Sequence, residues 1–259
     1  MGVNIGFIGV GVIASALVTG LCSGKDTDHR IYLSPRNAEK AAELAAKFEN
    51  VTVAKSNQEV LDKSEWVFLA VVPKYGEEVV RSLSFREDHR VINLMSDRKL
   101  PEIAGWIGKT RTLVHMVPIS FVSKRVGPIA IYPNDRDVAE LFAPLGEIVG
   151  VDDVKKIEAL AAITALISPY YTLLWEIVKW GEREGLSEQE ATDYTAAFFE
   201  ALSFQVRKAG AGELARLAQE MTPGGLNEMA LLDIREQGGF EPWVKALDPV
   251  LARLRKTGS

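Results

Sequence analysis

The chain has 259 residues, 47% of them hydrophobic and 25% charged, which is ordinary globular composition for one large domain or two moderate ones. A net charge of −5 leaves no basic excess to meet nucleic-acid phosphates. The single cysteine, Cys22, excludes an internal disulfide framework, reads as structural, and fits a reducing, cytoplasmic setting.

Met1 leads straight into an apolar run without a basic leader, so no secretory signal is expected. Val3 to Ile8 predicts a buried strand, Gly9-Val10-Gly11-Val12-Ile13-Ala14 a turn, and Ser15 to Leu21 a helix. The spacing G-x-G-x-x-A has a mechanical reason at each small residue. Gly9 permits the tight turn, Gly11 lets backbone N–H groups reach a pyrophosphate, and Ala14 lets helix pack closely on strand. The helix N-terminus adds partial positive charge where the phosphates sit.

Further strands are expected at His29 to Leu33, Val51 to Val53, Trp66 to Val72, Val91 to Met95 and Thr112 to Met116. Helices are expected at Ala38 to Phe48, from Gln58, and at Pro101 to Ile107. The run Trp66 to Val72 has no polar alternation, the mark of a strand covered on both faces. Alternating strands and helices specify a doubly wound α/β domain, closed by strands at Gly127 to Tyr132 and Gly146 to Val151 around a helix near Asp137 to Ala143. Beyond Asp152 the pattern is all helical: Val154 to Gly181, Ser187 to Ala209, Ala211 to Glu220, Asn227 to Glu236 and Phe240 to Arg255. Ser187 with Glu190 is a capping box, and Gly210 and Gly238-Gly239 are stops. The expected division is residues 1–151, a dinucleotide-binding α/β domain, and residues 152–259, a helical dimerisation and substrate domain. Ile157 to Val178 is apolar but carries Glu158 and Glu176, and it reads as a buried interface helix rather than a membrane span.

A carboxylate at the end of the second strand would hold the ribose 2′-hydroxyl of NAD; this chain has Ser34, Arg36 and Asn37 there. A guanidinium suits a 2′-phosphate, so NADP(H) is favoured over NAD(H). No His, Cys, Asp or Glu cluster has metal-ligand spacing, so no metal is expected.

Gly6-Phe7-Ile8-Gly9-x-Gly11-x-x-Ala14, Ser34-x-Arg36, Ser56-Asn57-x-Glu59-Val60, Ala70-Val71-Val72-Pro73 and Thr222-Pro223-Gly224-Gly225 occur in this order. With the helical second half, they resemble the pyrroline-5-carboxylate reductase family. The resemblance implies a Rossmann domain and a helical domain interlocking with a partner subunit, in a homodimer or larger ring, and reduction of the C=N bond of a cyclic imino acid. It implies that Gly9, Gly11, Val12, Ile13 and Ala14 hold pyrophosphate. Ser34, Arg36 and Asn37 take the 2′-phosphate side, Asn57 the adenosine, and Ala70, Val71, Val72 and Pro73 the nicotinamide ribose. Thr222, Gly224 and Gly225 would receive a substrate carboxylate.

The substrate half departs from the family. Val117-Pro118-Ile119-Ser120-Phe121 replaces Met-Pro-Asn-Thr-Pro, leaving Ser120 as the candidate there; Met95-Ser96-Asp97-Arg98 replaces an Ala-Ala-Gly segment. Asn227 stands in for the threonine that meets the imine nitrogen and is the catalytic candidate. His115 is a lesser proton-donor candidate, and His29 and His89 read as surface residues. Tyr170, Tyr171, Trp175 and Trp180 read as core or subunit interface. The rival readings are a β-hydroxyacid-type dehydrogenase using Lys179, and a non-catalytic dinucleotide sensor.

Overall fold

Apolar runs too uniform to have a wet face become the strands of one sheet. The computed structural model describes residues 2–24 and 28–256. Its strands are β1 (Asn4–Ile8), β2 (Arg30–Leu33), β3 (Val51–Val53), β4 (Trp66–Leu69), β5 (Arg90–Asn93), β6 (Thr112–Pro118), β7 (Pro128–Tyr132) and β8 (Glu147–Gly150). The order is β3-β2-β1-β4-β5-β6-β7-β8. Every neighbouring pair is parallel except β6 with β7, where His115 faces Tyr132 across an antiparallel ladder.

Helices cover both faces. The first is lined by α1 (Val12–Cys22), α2 (Ala38–Lys47) and, after the intervening elements, Arg136–Phe142. Phe7 stacks on Phe68 at 4.6 Å, and Phe142 meets Phe68 edge-on at 5.4 Å, so one aromatic column ties three elements together. On the other face α3 (Asn57–Lys63), α4 (Gly76–Arg81) and α5 (Leu100–Ile107) bury Val60, Val80 and Ile103 against Val67, Leu69 and Val91. Numbering on, Arg136–Phe142 is α6. Helix α4 was not expected from the sequence, because six residues give too short a periodic signal.

The remaining helices are α7 (Val154–Ile163), α8 (Ile167–Arg183), α9 (Glu188–Ala209), α10 (Leu214–Leu217), α11 (Leu226–Glu236), α12 (Glu241–Lys245) and α13 (Leu247–Lys256). Two expected long helices are each split. The run from Val154 breaks at a 3-10 turn, Thr164–Leu166, and the run from Phe240 breaks after α12. Proline explains both. Pro169 and Pro249 stand third in α8 and α13, where a missing N–H costs nothing; further inside a helix each ring would collide with the carbonyl four residues back. The expected helix from Ala211 shrinks to α10, since Gly210 and Gly212 both have positive φ. The Ser187–Glu190 capping box opens α9, and Gly210 ends it.

The described residues up to Ala162, together with those from Leu251 on, form one compact unit; Ile163–Val250 form a second. Within the second, α8 packs against α9. Of the stretch Ile157 to Val178, expected to be buried at a domain or subunit interface, Tyr171 and Trp175 are half-exposed within the single chain. One neighbouring helix cannot cover a helix that is apolar over so much of its circumference. The stretch Val154–Arg183 is long and apolar enough to cross a membrane by length and composition.

Candidate dinucleotide site

The turn after β1 is built for a close approach. Gly9 has φ +98°, and a Cβ there would lie 2.6 Å from the carbonyl oxygen of Ala70. Gly11 has nothing within 4 Å of the place its Cβ would take, and it precedes α1 as an N-cap without a side-chain hydrogen bond. The first turn of α1 carries no acidic residue, so no carboxylate there competes with an anion for its free N–H groups and positive end. Val12 is exposed, Ala14 is buried against the sheet, and Ile13 packs partly against the core between them.

Ser34 and Asn37 lie under this turn. Gly9 N–H donates to Ser34 Oγ at 2.9 Å, and Asn37 Nδ2 donates to the carbonyl of Val10 at 2.9 Å. Ser34 is itself buried. The two side chains therefore shape the glycine loop from beneath, and of the polar residues after β2 it is Arg36 that extends outward, its Cζ 5.0 Å from the centre of the Tyr75 ring. The β4 loop runs through half-buried Ala70 and Val71, exposed Val72 and half-buried Pro73. Asn57 is the first residue of α3, half-buried, behind the Ser56 cap that accepts from Glu59 N–H at 3.1 Å.

A second linkage, invisible in the sequence, joins the loops after β4 and β5. Arg98 Nη2 donates to the carbonyl of Pro73 at 3.2 Å, and Nη1 pairs with Glu102 at 3.0 Å. Arg98 borders a cavity of about 700 Å³ inside the first unit, shared with Lys99, His115, Tyr132 and Glu158. Lys99 forms an ion pair with Glu158, which also meets Arg255 at 3.4 Å. Residues so far apart in the chain leave no spacing to recognise.

His115 lines this cavity as a neutral ring. Asn93 Nδ2 lies 3.1 Å from His115 Nδ1, and an amide nitrogen only donates, so the ring proton sits on Nε2. Burial, aided by the charge of Lys99, pushes its pKa down to about 4. That is no imidazolium acid at neutral pH. His89, expected at the surface, is fully buried: its Nδ1 accepts from Arg86 N–H at 3.0 Å and its Nε2 lies 3.1 Å from the carbonyl of Leu61, which closes the turn before β5. His29 is half-buried, with Nδ1 accepting from Val3 N–H. Burial raises the Cys22 thiol to about 11, so it is chemically quiet.

Ser120 opens a 3-10 turn, Ser120–Lys124, at the end of β6 and is exposed. The remaining candidates, Thr222, Gly224, Gly225 and Asn227, sit on one loop of the second unit. There Gly225 is the N-cap of α11, and Asn227 is the second residue of the helix with its side chain exposed. Gly224 N–H donates to Glu228 Oε2 at 2.6 Å, and Gly225 N–H to the carbonyl of Thr222 at 2.9 Å. What the loop presents outward is the first turn of α11 and the Asn227 carboxamide. Lys179 pairs with Glu182 at 2.8 Å. Among the described residues, no group of three or more His, Cys, Asp or Glu is placed to hold a metal ion.

Comparison with known proteins agrees with this geometry. A family model described as NADP oxidoreductase, coenzyme F420-dependent, matches residues 4–97. The pyrroline-5-carboxylate reductase of Pseudomonas aeruginosa is 27% identical, over 93% of this chain and 92% of its own. In fold, the chain is similar to a pyrroline-5-carboxylate reductase from Coxiella burnetii, with TM-score 0.84, 24% identity, and 99% of each chain covered. It is also similar to the Plasmodium falciparum pyrroline carboxylate reductase solved with NADP bound, with TM-score 0.83, 16% identity, and 99% and 98% of the two chains covered.

Proposed function

We propose that the chain, similar over nearly its whole length to pyrroline-5-carboxylate reductases, belongs with that family and reduces the C=N bond of a cyclic imino acid with NADPH. The observation that carries the reading is the turn at Gly9–Ala14, an uncapped helix end over open space with Arg36, not a carboxylate, beside it. When bound there, NADPH supplies a hydride to the imine carbon.

The backbone N–H groups from Gly11 to Ala14 hold the pyrophosphate, with Ser34 and Asn37 keeping the loop in shape. Arg36 takes the 2′-phosphate, Asn57 lies toward the adenosine, and Ala70 to Pro73 border the nicotinamide ribose. On the second unit, Thr222, Gly224 and Gly225 are the proposed substrate residues, with the Asn227 carboxamide oxygen accepting from the protonated imine N–H; on the first unit the candidate is Ser120. A substrate carboxylate competes with Glu228 for Gly224 N–H, so it binds through the N–H groups at the start of α11 or displaces that side chain. A cyclic imine that arrives protonated on nitrogen needs no strong acid from the protein. The chain's task is then to hold two rings in register and keep water out, which accords with a neutral His115.

NADPH absorbance followed with pyrroline-5-carboxylate, pyrroline-2-carboxylate and piperideine-2-carboxylate tests the reaction. Turnover on one of them is expected, reduced at least about tenfold by Asn227→Ala and shifted toward NADH by Arg36→Ala. Turnover of keto acids instead of any imine would transfer the chain to the dehydrogenase reading.

The assembly is proposed as a homodimer or larger homo-oligomer through the C-terminal helices, in the cytoplasm. Support comes from the exposed apolar residues of the second unit, among them Trp175, Trp180, Tyr194, Phe198, Phe204 and Leu226. Sedimentation equilibrium should give at least twice the 28.4 kDa chain mass. A monomer that stays active would remove the partner subunit from the site.

A further inference from the structure

In the strand order, β2 and β4 flank β1, so the loops leaving them rise on either side of the glycine turn. The first carries Arg36. The second continues from Pro73 into a single 3-10 turn, Pro73–Tyr75, whose last two residues are Lys74 and Tyr75. Arg36 Cζ stands 5.0 Å from the centre of the Tyr75 ring and Lys74 Nζ 5.4 Å from the same centre. Tyr75 is 38% exposed, so the ring is a platform at the surface and not part of the core. No carboxylate pairs with Arg36 or Lys74 among the described residues, although ion pairs hold nearby Arg81 and Arg98.

We propose that Lys74 and Tyr75 complete the 2′-phosphate site of the dinucleotide, an assignment that rests on the NADP(H) reading above. Two cations gathered on one ring repel each other and are brought to best use by an anion with several acceptor oxygens. A 2′-phosphate supplies three, enough for the fork of Arg36 and the point charge of Lys74 together. Tyr75 is the positioning residue: its ring, within cation–π reach of both Arg36 and Lys74, keeps the two cations gathered beside it. The preference for the phosphorylated cofactor then arises from two loops, and Arg36 supplies half of it.

Calorimetric titration of the whole protein with 2′,5′-ADP and with 5′-AMP isolates this site from catalysis. The parent chain should bind 2′,5′-ADP the more tightly. Lys74→Ala should weaken 2′,5′-ADP about tenfold and leave 5′-AMP unchanged. Tyr75→Ala should narrow the same ratio, and Tyr75→Phe, which keeps the ring face, should restore it. Both side chains are solvent-accessible, and melting curves of the variants should match the parent. A Lys74→Ala chain with an unchanged ratio, or one that loses both ligands equally, overturns the proposal while the NADP(H) reading stands. A parent chain that does not distinguish the two ligands overturns that reading and the proposal together.

Discussion

A Gly9→Ala chain is expected to lose measurable NADPH binding and to melt well below the parent. Gly9 sits at φ +98°, where an L-residue costs about 1–2 kcal/mol. The added Cβ would also lie 2.6 Å from the carbonyl oxygen and 2.8 Å from the carbonyl carbon of Ala70. These are backbone atoms at the exit of β4, so no side-chain rotation relieves the contact. The two effects together are worth roughly 3 kcal/mol, or a fall of about 6–12 °C in melting temperature for a chain of this size. Gly11→Ala is the control. Gly11 has φ −97° and open space around it, so alanine there should leave the melting curve in place and weaken only the dinucleotide. Differential scanning calorimetry with NADPH fluorescence titration separates the two. Equal melting of the parent and Gly9→Ala would mean that the turn does not rest against Ala70.

Below neutral pH the fold should weaken through its histidines. His115 titrates near 4 when folded and near 6.5 when unfolded, so the unfolded chain binds its proton first. Its contribution is fully present above about pH 6.5, drains away as pH falls toward 4, and changes no further below that. At full protonation the loss is on the order of 3 kcal/mol. Burial lowers the pKa of His89 and His29 in the same direction, so they add to the slope. Urea midpoints measured between pH 7.5 and 4 should fall steeply for the parent and less steeply for His115→Gln. The pH profile of turnover should show no step from His115 between pH 5 and 8, since its ring is neutral throughout. An unaltered urea slope in His115→Gln would place the acid sensitivity elsewhere.

The α/β half was legible because its signals are local. Trp66 to Leu69 announces a strand by uniform apolarity, and Gly9, Gly11 and Ala14 announce a turn whose geometry permits little else. Strand direction is not local. Nothing in Pro128 to Tyr132 marks β7 as antiparallel, because an apolar run reads alike both ways along the sheet. The histidines show the same boundary. His89 lies among charged neighbours in sequence, yet its ring is held against the carbonyl of Leu61, 28 residues away and reached only in three dimensions. In the site, the residue types after β2 were readable, but their division of labour was not. Ser34 faces inward to Gly9 and Arg36 outward to Tyr75, a choice fixed by the twist of one short loop. Helix breaks at Pro169 and Pro249 could have been placed from the sequence, since proline is tolerated only in a helix's first turn.

The return of the chain to its first unit bears on the order of events during synthesis. Glu158 on α7 takes its ion pair with Lys99 from residues made early, but Arg255 and the carbonyl of Leu254, which accepts from Lys99 Nζ at 3.2 Å, emerge only after residues 163–250. A ribosome that has released the whole sheet has therefore not yet released all of the unit built on it. Until then Glu158, only 12% exposed once docked, has a single cation to compensate it. Nascent chains arrested before Leu251 should hold the sheet but complete the charge cluster at Lys99 and Glu158 only when translation resumes.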